Sequence, residues 1–347
     1  MLKKVGIIGH FAHGRDFFDG QTIKIRTLTQ ALQNELSKAD VCTLDTYGGL
    51  KNIVRIVVGT FKMLVKCKNI IMLPANNGLK VFVPLLSLGN LLFKRKLHYS
   101  VIGGWLPEFV KEHKLIKKLL KKFDCIYVET NAMKMALEAM EFSNVHIVPN
   151  FKNIDVLSED ELVYNHSKPF KLCTFSRVMK EKGIEDAIDA VKSINMQAGD
   201  VVCALDIYGK IDSDYENRFA KLQTDFPEYI RYCGCIDAND SVNVLKNYYA
   251  LLFPTYYEGE GFAGTLIDAF SSGIPVIASD WRYNSEFVTH GYDGMIFTTH
   301  DVNMLKESII HIVENSADYK TMKVNSLRTA VRYLPSVVVK TILDKMC

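Results

Sequence analysis

Short apolar segments alternate with amphipathic helical segments along nearly the whole chain, and this pattern limits the possible folds more than any other feature. We predict strands at 5–9, 70–73, 99–102, 125–128 and 146–148, and at 172–176, 204–208, 231–233, 251–254 and 276–278. Strands this apolar, separated by helices, are typical of parallel sheets buried on both faces. The pattern predicts an α/β protein with two doubly wound, Rossmann-like domains facing across a cleft, where ligands bind beyond the carboxyl ends of the strands.

The length of 347 residues also indicates about two domains. Residues 151–169 contain an acidic run and show no helical or strand periodicity, so we interpret them as an interdomain connection. We place the first domain at 1–165 and the second at 166–330, followed by a C-terminal helix at 331–347 that packs back on the first domain.

Charge is divided unevenly between the two halves. Residues 1–150 hold 22 Lys and Arg against 11 Asp and Glu, a net of +11, whereas residues 151–347 hold 20 against 28, a net of −8. No acidic residue lies between Asp45 and Glu108, a stretch with nine Lys and Arg. A basic half joined to an acidic half suggests two bodies with different partners.

Several classes of protein lack support in the sequence. The apolar run 81–93 is too short to span a bilayer, and the run 5–9 is too short for a signal peptide. The eight cysteines are scattered without a C-x-x-C pair, which is typical of reduced thiols in a cytoplasmic protein. Neither a G-x-x-x-x-G-K-[ST] loop nor a G-x-G-x-x-G turn is present, so phosphate-loop and dinucleotide binding are not indicated.

Candidate metal ligands are few. His10 and His13 share a loop, and Asp212-Ser-Asp214 spells D-x-D in a polar turn. Two histidines without further ligands are more often structural or solvent-facing, and we interpret the aspartates as ordinary loop residues. The sequence therefore predicts no metal site.

The segment S-R-V-M-K-E-K-G, residues 176–183, follows a predicted strand and enters a helix. Arg177 and Lys182 therefore lie in a strand-to-helix loop, where a ligand of a parallel sheet binds. Two cations beside a helix N-terminus can hold a diphosphate, because the backbone N–H groups and the fixed charges act together. The alternative is a solvated loop with ordinary surface charges.

The segment E-G-E-G-F-A-G-T-L-I-D-A-F, residues 258–270, places a glycine-rich turn between a strand and a helix. Its glycines let a ligand approach the backbone, and the N–H groups near 262–265 would receive an anion. Glu260 and Asp268, eight residues apart, would lie about 12 Å apart along a continuous helix and on similar sides. They would then contact two ends of one ligand; the alternative is that Asp268 is buried with a local partner.

The run from Leu172 to Phe297 resembles the retaining glycosyltransferases of the GT-B type, family 4. The matching stretches, in the family's order, are S-R-V-M-K-E-K-G, L-D-I-Y-G-K, Y-C-G-C-I-D, F-P-T-Y-Y-E-G-E-G-F-A-G-T-L-I-D-A-F-S-S-G-I-P-V-I-A-S-D and S-E-F-V-T-H-G-Y-D-G-M-I-F. In the first half, D-G-Q-T-I-K-I-R (19–26) and V-I-G-G-W-L-P-E-F (101–109) look like members that build bacterial surface polysaccharides.

The resemblance implies a metal-independent hexosyltransferase that retains the anomeric configuration. Its donor would be a nucleotide-diphosphate sugar, with UDP rather than GDP as the nucleotide, and it would need no further cofactor. The first domain would bind a glycan or lipid-linked acceptor, and the second would bind the donor. Because no nucleophile is evident, stabilisation of the leaving diphosphate would dominate catalysis.

The resemblance also implies roles for single residues. Arg177 and Lys182 would neutralise the diphosphate, Glu260 would hold the transferred sugar, and Asp268 would hold the ribose. Further donor contacts would be Gly20, Gln21, Ser176, Gly209, Phe262, Ala263, Gly264 and Thr265. Family members usually have Glu where Asp268 stands, so the ribose contact would need a bridging water or a deeper nucleotide. On the acceptor side, Gly103, Gly104 and Trp105 occupy the region where many relatives have a histidine.

Two other functions remain open from the sequence. A sugar-nucleotide epimerase on the same fold would need acid and base groups around the sugar, and we identify no such set. A non-catalytic sugar-nucleotide binding protein is the second alternative, against which the intact Arg177, Lys182 and Glu260 argue.

The segment K-E-H-K-L-I-K-K-L-L-K-K-F, residues 111–123, predicts an amphipathic helix. Its apolar stripe would be Leu115, Ile116, Leu119, Leu120 and Phe123, and its opposite face Lys114, Lys117, Lys118, Lys121 and Lys122. Together with the acid-free stretch, the lysines predict docking on an anionic membrane at the inner face of the cytoplasmic membrane, and no nucleic-acid partner. The alternative is a helix packed on its own domain with solvated lysines.

Overall fold

The computed structural model of the chain describes residues 3–14, 20–164 and 167–346. The chain divides into two compact units, Met1–Asn153 with Tyr333–Cys347, and Ile154–Arg332. Each unit contains one six-stranded sheet in which every paired strand is parallel. The α/β class and the two doubly wound domains are therefore confirmed.

The first unit has the strand order β2-β1-β3-β4-β5-β6. Its strands are β1 (Lys3–Gly9), β2 (Val41–Asp45), β3 (Cys67–Met72), β4 (Lys96–Ser100), β5 (Cys125–Val128) and β6 (Val145–Ile147). Its helices are α1 (Gly20–Leu36), α2 (Ile53–Lys66), α3 (Asn76–Phe93), α4 (Leu106–Glu112), α5 (Lys114–Leu120), α6 (Asn131–Glu138) and the C-terminal α14 (Pro335–Met346).

Helix α14 belongs to the core of the first unit. Val338, Val339 and Ile342 lie in the same buried cluster as Ile25 and Leu28 of α1. Burial of these apolar side chains holds the end of the chain against the first sheet.

The second unit has the strand order β12-β11-β10-β7-β8-β9. Its strands are β7 (Phe170–Phe175), β8 (Cys203–Tyr208), β9 (Ile230–Gly234), β10 (Ala250–Phe253), β11 (Val276–Ser279) and β12 (Gly294–Phe297). Its helices are α7 (Ile184–Ala198), α8 (Glu216–Thr224), α9 (Ser241–Leu245), α10 (Gly264–Ser271), α11 (Asn284–Phe287), α12 (Val302–Glu314) and α13 (Ser316–Val331).

The first boundary lies earlier than the predicted 165/166. The amide of Leu157 donates to the carbonyl of Ser271, and Leu162, which is 8% exposed, packs beside Gly273. These contacts attach the connection to the second unit, so the division falls after Asn153. The second boundary, after Arg332, lies two residues beyond the predicted one.

Two strands, β2 and β12, were not predicted. Both lie at the edge of their sheets, where one side of the strand has no neighbour. In β2, Val41 is buried while the following residues are partly exposed, so its sequence V-C-T-L-D lacks the continuous apolar run of a central strand.

The predicted single helix over 111–123 is wrong. His113, at φ −115° and ψ 73°, separates α4 from α5, and α5 ends at Leu120. Ile116, Leu120 and Phe123 are buried as expected, but Leu115, which was predicted to belong to the same apolar stripe, is 63% exposed. No helix in the described ranges is both long enough and apolar enough to cross a membrane.

Candidate active site

The loops after β7 and β10 lie side by side at the carboxyl edge of the second sheet. These strands pair in parallel, with Leu172 opposite Ala250. The chain order reverses between them, because β8 and β9 continue on one side and β11 and β12 on the other. Such a reversal leaves a crevice beyond the strand ends, where doubly wound proteins bind ligands. The two motifs at 176–183 and 258–270 follow these two strands.

Backbone contacts hold the two loops together. The Tyr256 amide donates to the Glu181 carbonyl at 2.7 Å, and the Thr255 hydroxyl lies 3.2 Å from the same oxygen. Gly183 has a φ of +67°, and a Cβ at this position would overlap the carbonyl group of Pro254. Only glycine therefore allows the loops to approach this closely.

Lys182 and Glu260 meet where the loops join. The Lys182 Nζ lies 2.5 Å from Glu260 Oε2, and the two side chains are only 10% and 9% exposed. The Thr255 hydroxyl donates to the same Glu260 oxygen at 2.8 Å. Charges this deeply buried are stable in a protein when they are paired and hydrogen-bonded. The structure thus brings together two residues that the sequence assigned to separate loops.

Tyr257 borders both of the predicted cations. Its ring centroid lies 5.1 Å from Lys182 Nζ and 5.6 Å from the guanidinium carbon of Arg177. Trp281 fixes the backbone here by donating its indole N–H to the Tyr257 carbonyl at 2.9 Å. The ring attracts both cations through its negative face. Neither Tyr257 nor Thr255 was named from the sequence, because their partners are on the other loop.

Arg177 also pairs with the D-x-D segment. Its Nη1 lies 3.2 Å from Asp212 Oδ2, and the Arg177 side chain is 47% exposed. The Asp214 amide donates to the other oxygen of Asp212 at 3.2 Å. Asp212 thus closes a turn and forms an ion pair with Arg177, which agrees with the interpretation of both aspartates as loop residues. Within the described parts of the chain, no group of three His, Cys, Asp or Glu side chains is placed to hold a metal ion.

The predicted helical spacing of Glu260 and Asp268 is wrong. Helix α10 begins at Gly264, with Ala263 in extended geometry at its N-cap, so Glu260 lies in the preceding turn. The ring of Phe262 stacks on the ring of Phe287, with 3.7 Å between the ring centroids. The Thr265 hydroxyl is buried and has no hydrogen-bond partner among the described residues. A buried hydroxyl of this kind calls for a partner, which the described residues do not supply.

Asp268 lies inside α10 and is 2% exposed. It accepts a hydrogen bond of 3.0 Å from the hydroxyl of Ser241, which is fully buried at the start of α9. This geometry is that of the alternative stated above, a buried acid with a local partner. Its assignment to the ribose stays a prediction.

Gly209 and Ser176 meet at the ends of β8 and β7. Gly209 has a φ of +133°, and a Cβ there would overlap the carbonyl group of Ser176. The Gly209 amide donates to the Gly234 carbonyl at 2.8 Å. Gly209 therefore has a packing role that is visible without any ligand.

The predicted residues of the first unit follow β1 and β4. Gly20 and Gln21 begin α1. The side-chain amide nitrogen (Nε2) of Gln21 lies 3.4 Å from the carbonyl oxygen of Leu73, just after β3. Asp19, which opens the quoted motif, lies outside the described residues. Gly103 has a φ of +77°, Gly104 follows it, and the indole N–H of Trp105 donates to the Ile102 carbonyl at 2.7 Å.

A second buried ion pair in the first unit was also not anticipated. Lys24, on α1, pairs with Glu129 at the end of β5, and both side chains are about 5% exposed or less. Lys24 also donates to the Val101 carbonyl at 2.8 Å, at the end of β4. The pair ties α1 to two neighbouring strand ends.

Residues 159–328 match the family described as "Glycosyl transferases group 1". This stretch is similar to group 1 glycosyl transferase domains. It contains both loops of the candidate site, with Arg177, Lys182, Glu260 and Asp268, and it lies wholly within the second unit.

Relatives and solved structures extend the likeness. The chain is 30% identical over 228 residues to the GtfA subunit of a UDP-N-acetylglucosamine–peptide N-acetylglucosaminyltransferase from Streptococcus gordonii, covering 62% of this chain and 43% of that protein. The chain thus spans less than half of that relative's length. It is 15% identical to HepE from Anabaena in complex with UDP, with a TM-score of 0.76 and 99% of both chains covered. Sucrose-phosphate synthase from Thermosynechococcus elongatus gives 15% identity and a TM-score of 0.76 over 98% and 97%. These likenesses confirm the GT-B fold.

Proposed function

We propose that the chain transfers a hexosyl group from a UDP-sugar to a glycan or lipid-linked acceptor, with retention of the anomeric configuration, in surface polysaccharide synthesis. The observation that carries the proposal is the Lys182–Glu260 pair, which Arg177 and Tyr257 border. The pair lies where the strand order reverses, in the stretch that matches group 1 glycosyl transferases. The UDP-bound HepE structure, which shares the fold, supports UDP as the nucleotide.

The chemistry follows from where charge develops. Breaking the bond between sugar and diphosphate leaves negative charge on the phosphate oxygens, which Arg177 and Lys182 would oppose. Lys182 would then exchange its contact with Glu260 for one with the diphosphate, which frees the carboxylate to accept hydrogen bonds from the sugar hydroxyls. The departing phosphate would take the proton of the acceptor hydroxyl, so no protein nucleophile is required.

A panel of UDP- and GDP-sugars tests this function. Purified protein is incubated with each donor, with and without a glycan or lipid-linked acceptor fraction, and released nucleotide is measured. A transferase releases UDP in proportion to glycosylated acceptor. Conversion of the donor sugar without UDP release would instead identify an epimerase, and retention of the donor without either change would identify a binding protein.

We also propose that transfer needs no divalent metal. The two cations and the backbone N–H groups at the start of α10 would neutralise the diphosphate, and Asp212 already accompanies Arg177. Activity is then expected to persist in a chelator. Loss of activity that Mg²⁺ or Mn²⁺ restores would return Asp212 and Asp214 to the site as metal ligands.

An anionic membrane surface is the second proposed partner. Lys114, Lys118 and Lys122 are exposed on and after α5, whereas Lys121 lies 3.0 Å from Glu141. These three exposed lysines, two on α5 and one just after it, would attract anionic headgroups at low ionic strength.

A further inference from the structure

Exposed apolar side chains are concentrated on one layer of helices in the first unit. Of the 17 large apolar side chains that are exposed in the described residues, nine lie on α2, α3 and α5. This clustering is typical of an interaction surface and not of isolated exposed side chains. They are Val54, Val58, Phe61, Val65, Val81, Leu88, Leu91, Leu92 and Leu115. We call this set the apolar helix surface.

Helix α2 presents one continuous row of this surface. Val54, Val58, Phe61 and Val65 follow a spacing of four, three and four residues, which places them on one side of a helix. They are 75%, 47%, 37% and 50% exposed. The opposite side of α2 is buried, so the exposed row is not needed for folding.

The last turns of α3 extend this row. Leu88, Leu91 and Leu92 are 69%, 72% and 81% exposed. Gly89 lies so close to α2 that a Cβ there would come within 3.3 Å of the Phe61 ring. Arg95, just after α3, donates to the Leu64 carbonyl of α2 at 2.8 Å. The apolar side chains of the two helices therefore form one patch.

Basic side chains border this patch, and acidic ones are missing from both helices. Arg55, Lys62 and Lys66 are exposed along α2, and Lys94 is exposed at the end of α3. No Asp or Glu occurs between Asp45 and Glu108. A protein partner would need a matching acidic rim, whereas an anionic lipid surface offers negative headgroups around an apolar interior.

We propose that the apolar helix surface inserts into an anionic membrane, with Leu88, Leu91 and Leu92 among the acyl chains and the basic residues at the headgroups. The inference rests on the proposed function, because membrane insertion would bring the active site to a lipid-linked acceptor. It places the main membrane contact on α2 and α3 and not on the lysines of α5, which attract the membrane by charge alone. Binding should then be strengthened by anionic lipid yet persist in part at high salt.

Vesicle flotation tests the proposal with the full chain. The probes are phosphatidylcholine vesicles and vesicles of phosphatidylcholine with phosphatidylglycerol. The triple variant Leu88→Ser/Leu91→Ser/Leu92→Ser should lose about tenfold or more of its partition onto the mixed vesicles at both low and high salt. Lys62→Glu/Lys66→Glu should lose binding mainly at low salt. Met196→Ser, an equally exposed apolar residue of the second unit (81%), is the matched control.

Fluorescence of Leu92→Trp gives a second readout. Its indole emission should shift to shorter wavelength with mixed vesicles and be shielded from a soluble quencher, whereas Met196→Trp should show neither change. Wild-type-like flotation of the triple leucine variant, or an indole in Leu92→Trp that the quencher still reaches on vesicles, would overturn the proposal. The proposal would also be overturned if the wild type formed dimers in solution and bound no vesicles, and the triple leucine variant were monomeric. The surface would then be a protein interface.

Nucleotide release separates this proposal from the proposed function. With a water-soluble acceptor, the leucine variant should release UDP as the wild type does. Vesicle binding by a protein that turns over no nucleotide sugar would refute the transferase function and leave the membrane surface standing.

Discussion

The ammonium group of Lys182 lies 2.5 Å from a carboxylate oxygen of Glu260, although the two residues are 78 positions apart. The contact joins the loop after β7 to the loop after β10, at the place where the order of strands reverses. Because both side chains are about nine-tenths buried, removal of either one leaves the other charge without its partner. The pair therefore connects the stability of these loops to their proposed chemistry.

Replacing Arg177 or Lys182 by Ala is expected to lower transfer by about 100-fold or more, because each faces charge that grows in the transition state. The measurement is the rate of UDP release with acceptor present. Lys180→Ala, an exposed lysine of the same loop, is the control and should keep normal turnover. Near-normal turnover of both Arg177→Ala and Lys182→Ala would refute the diphosphate assignment.

Gly183→Ala is expected to destabilise the second unit by about 2–4 kcal/mol, because it combines a left-handed backbone with a clash against Pro254. Gly199→Ala is the matched control. Gly199 has a similar φ of +62°, but a Cβ there meets no atom within 4 Å. It should therefore cost only about 1 kcal/mol, which is the effect of the backbone conformation alone. Equal losses in urea unfolding would show that the contact between the loops is unimportant.

Sequence patterns predicted the strands of both sheet centres, because those strands are continuous apolar runs. They also placed Arg177, Lys182 and Glu260 at strand ends. They could not show that Lys182 pairs with Glu260, or that Thr255 and Tyr257 complete the cluster, because these contacts join loops distant in sequence. The start of α10 at Gly264 was missed for a related reason. The turn before it is held by Trp281, whose position no local pattern reveals.

The exposed surface was the least predictable part of the molecule. The periodicity of 111–123 identified its apolar and basic residues. Which of these residues face the sheet depends, however, on the break in the helix at His113. Helix α2 has the same ambiguity, because its exposed row and its buried side are both apolar in sequence.

Lys323 makes stability depend on pH. It is fully buried, its ammonium has no hydrogen-bond partner in the described parts of the chain, and it lies 5.5 Å from the Tyr319 ring centroid. Burial lowers its pKa from 10.5 to about 8. Between these values the unfolded chain binds more protons than the native one, so the contribution of Lys323 to stability rises with pH across that window.

Lys323→Met is therefore expected to stabilise the protein by about 1–3 kcal/mol at neutral pH, because it removes an unpaired buried charge. Urea unfolding at neutral pH and near the upper end of the window measures both effects. The advantage of the variant should shrink as pH rises, whereas Lys320→Met, on the exposed side of the same helix, should change stability little. A constant difference between Lys323→Met and wild type across this window would contradict the account.

The most direct test of the central claim is the effect of Glu260→Gln on turnover and on UDP affinity, measured on the same folded preparation. Glutamine keeps the shape of the side chain and a hydrogen bond with Thr255 but removes the charge that would hold the sugar. We predict that turnover falls by about 100-fold or more while UDP binding survives, because Glu260 would contact the transferred sugar and not the nucleotide. Asp268→Ala should instead weaken UDP binding. Unchanged turnover with a lost affinity for UDP in Glu260→Gln would contradict the account, since Glu260 would then hold the nucleotide and not the transferred sugar.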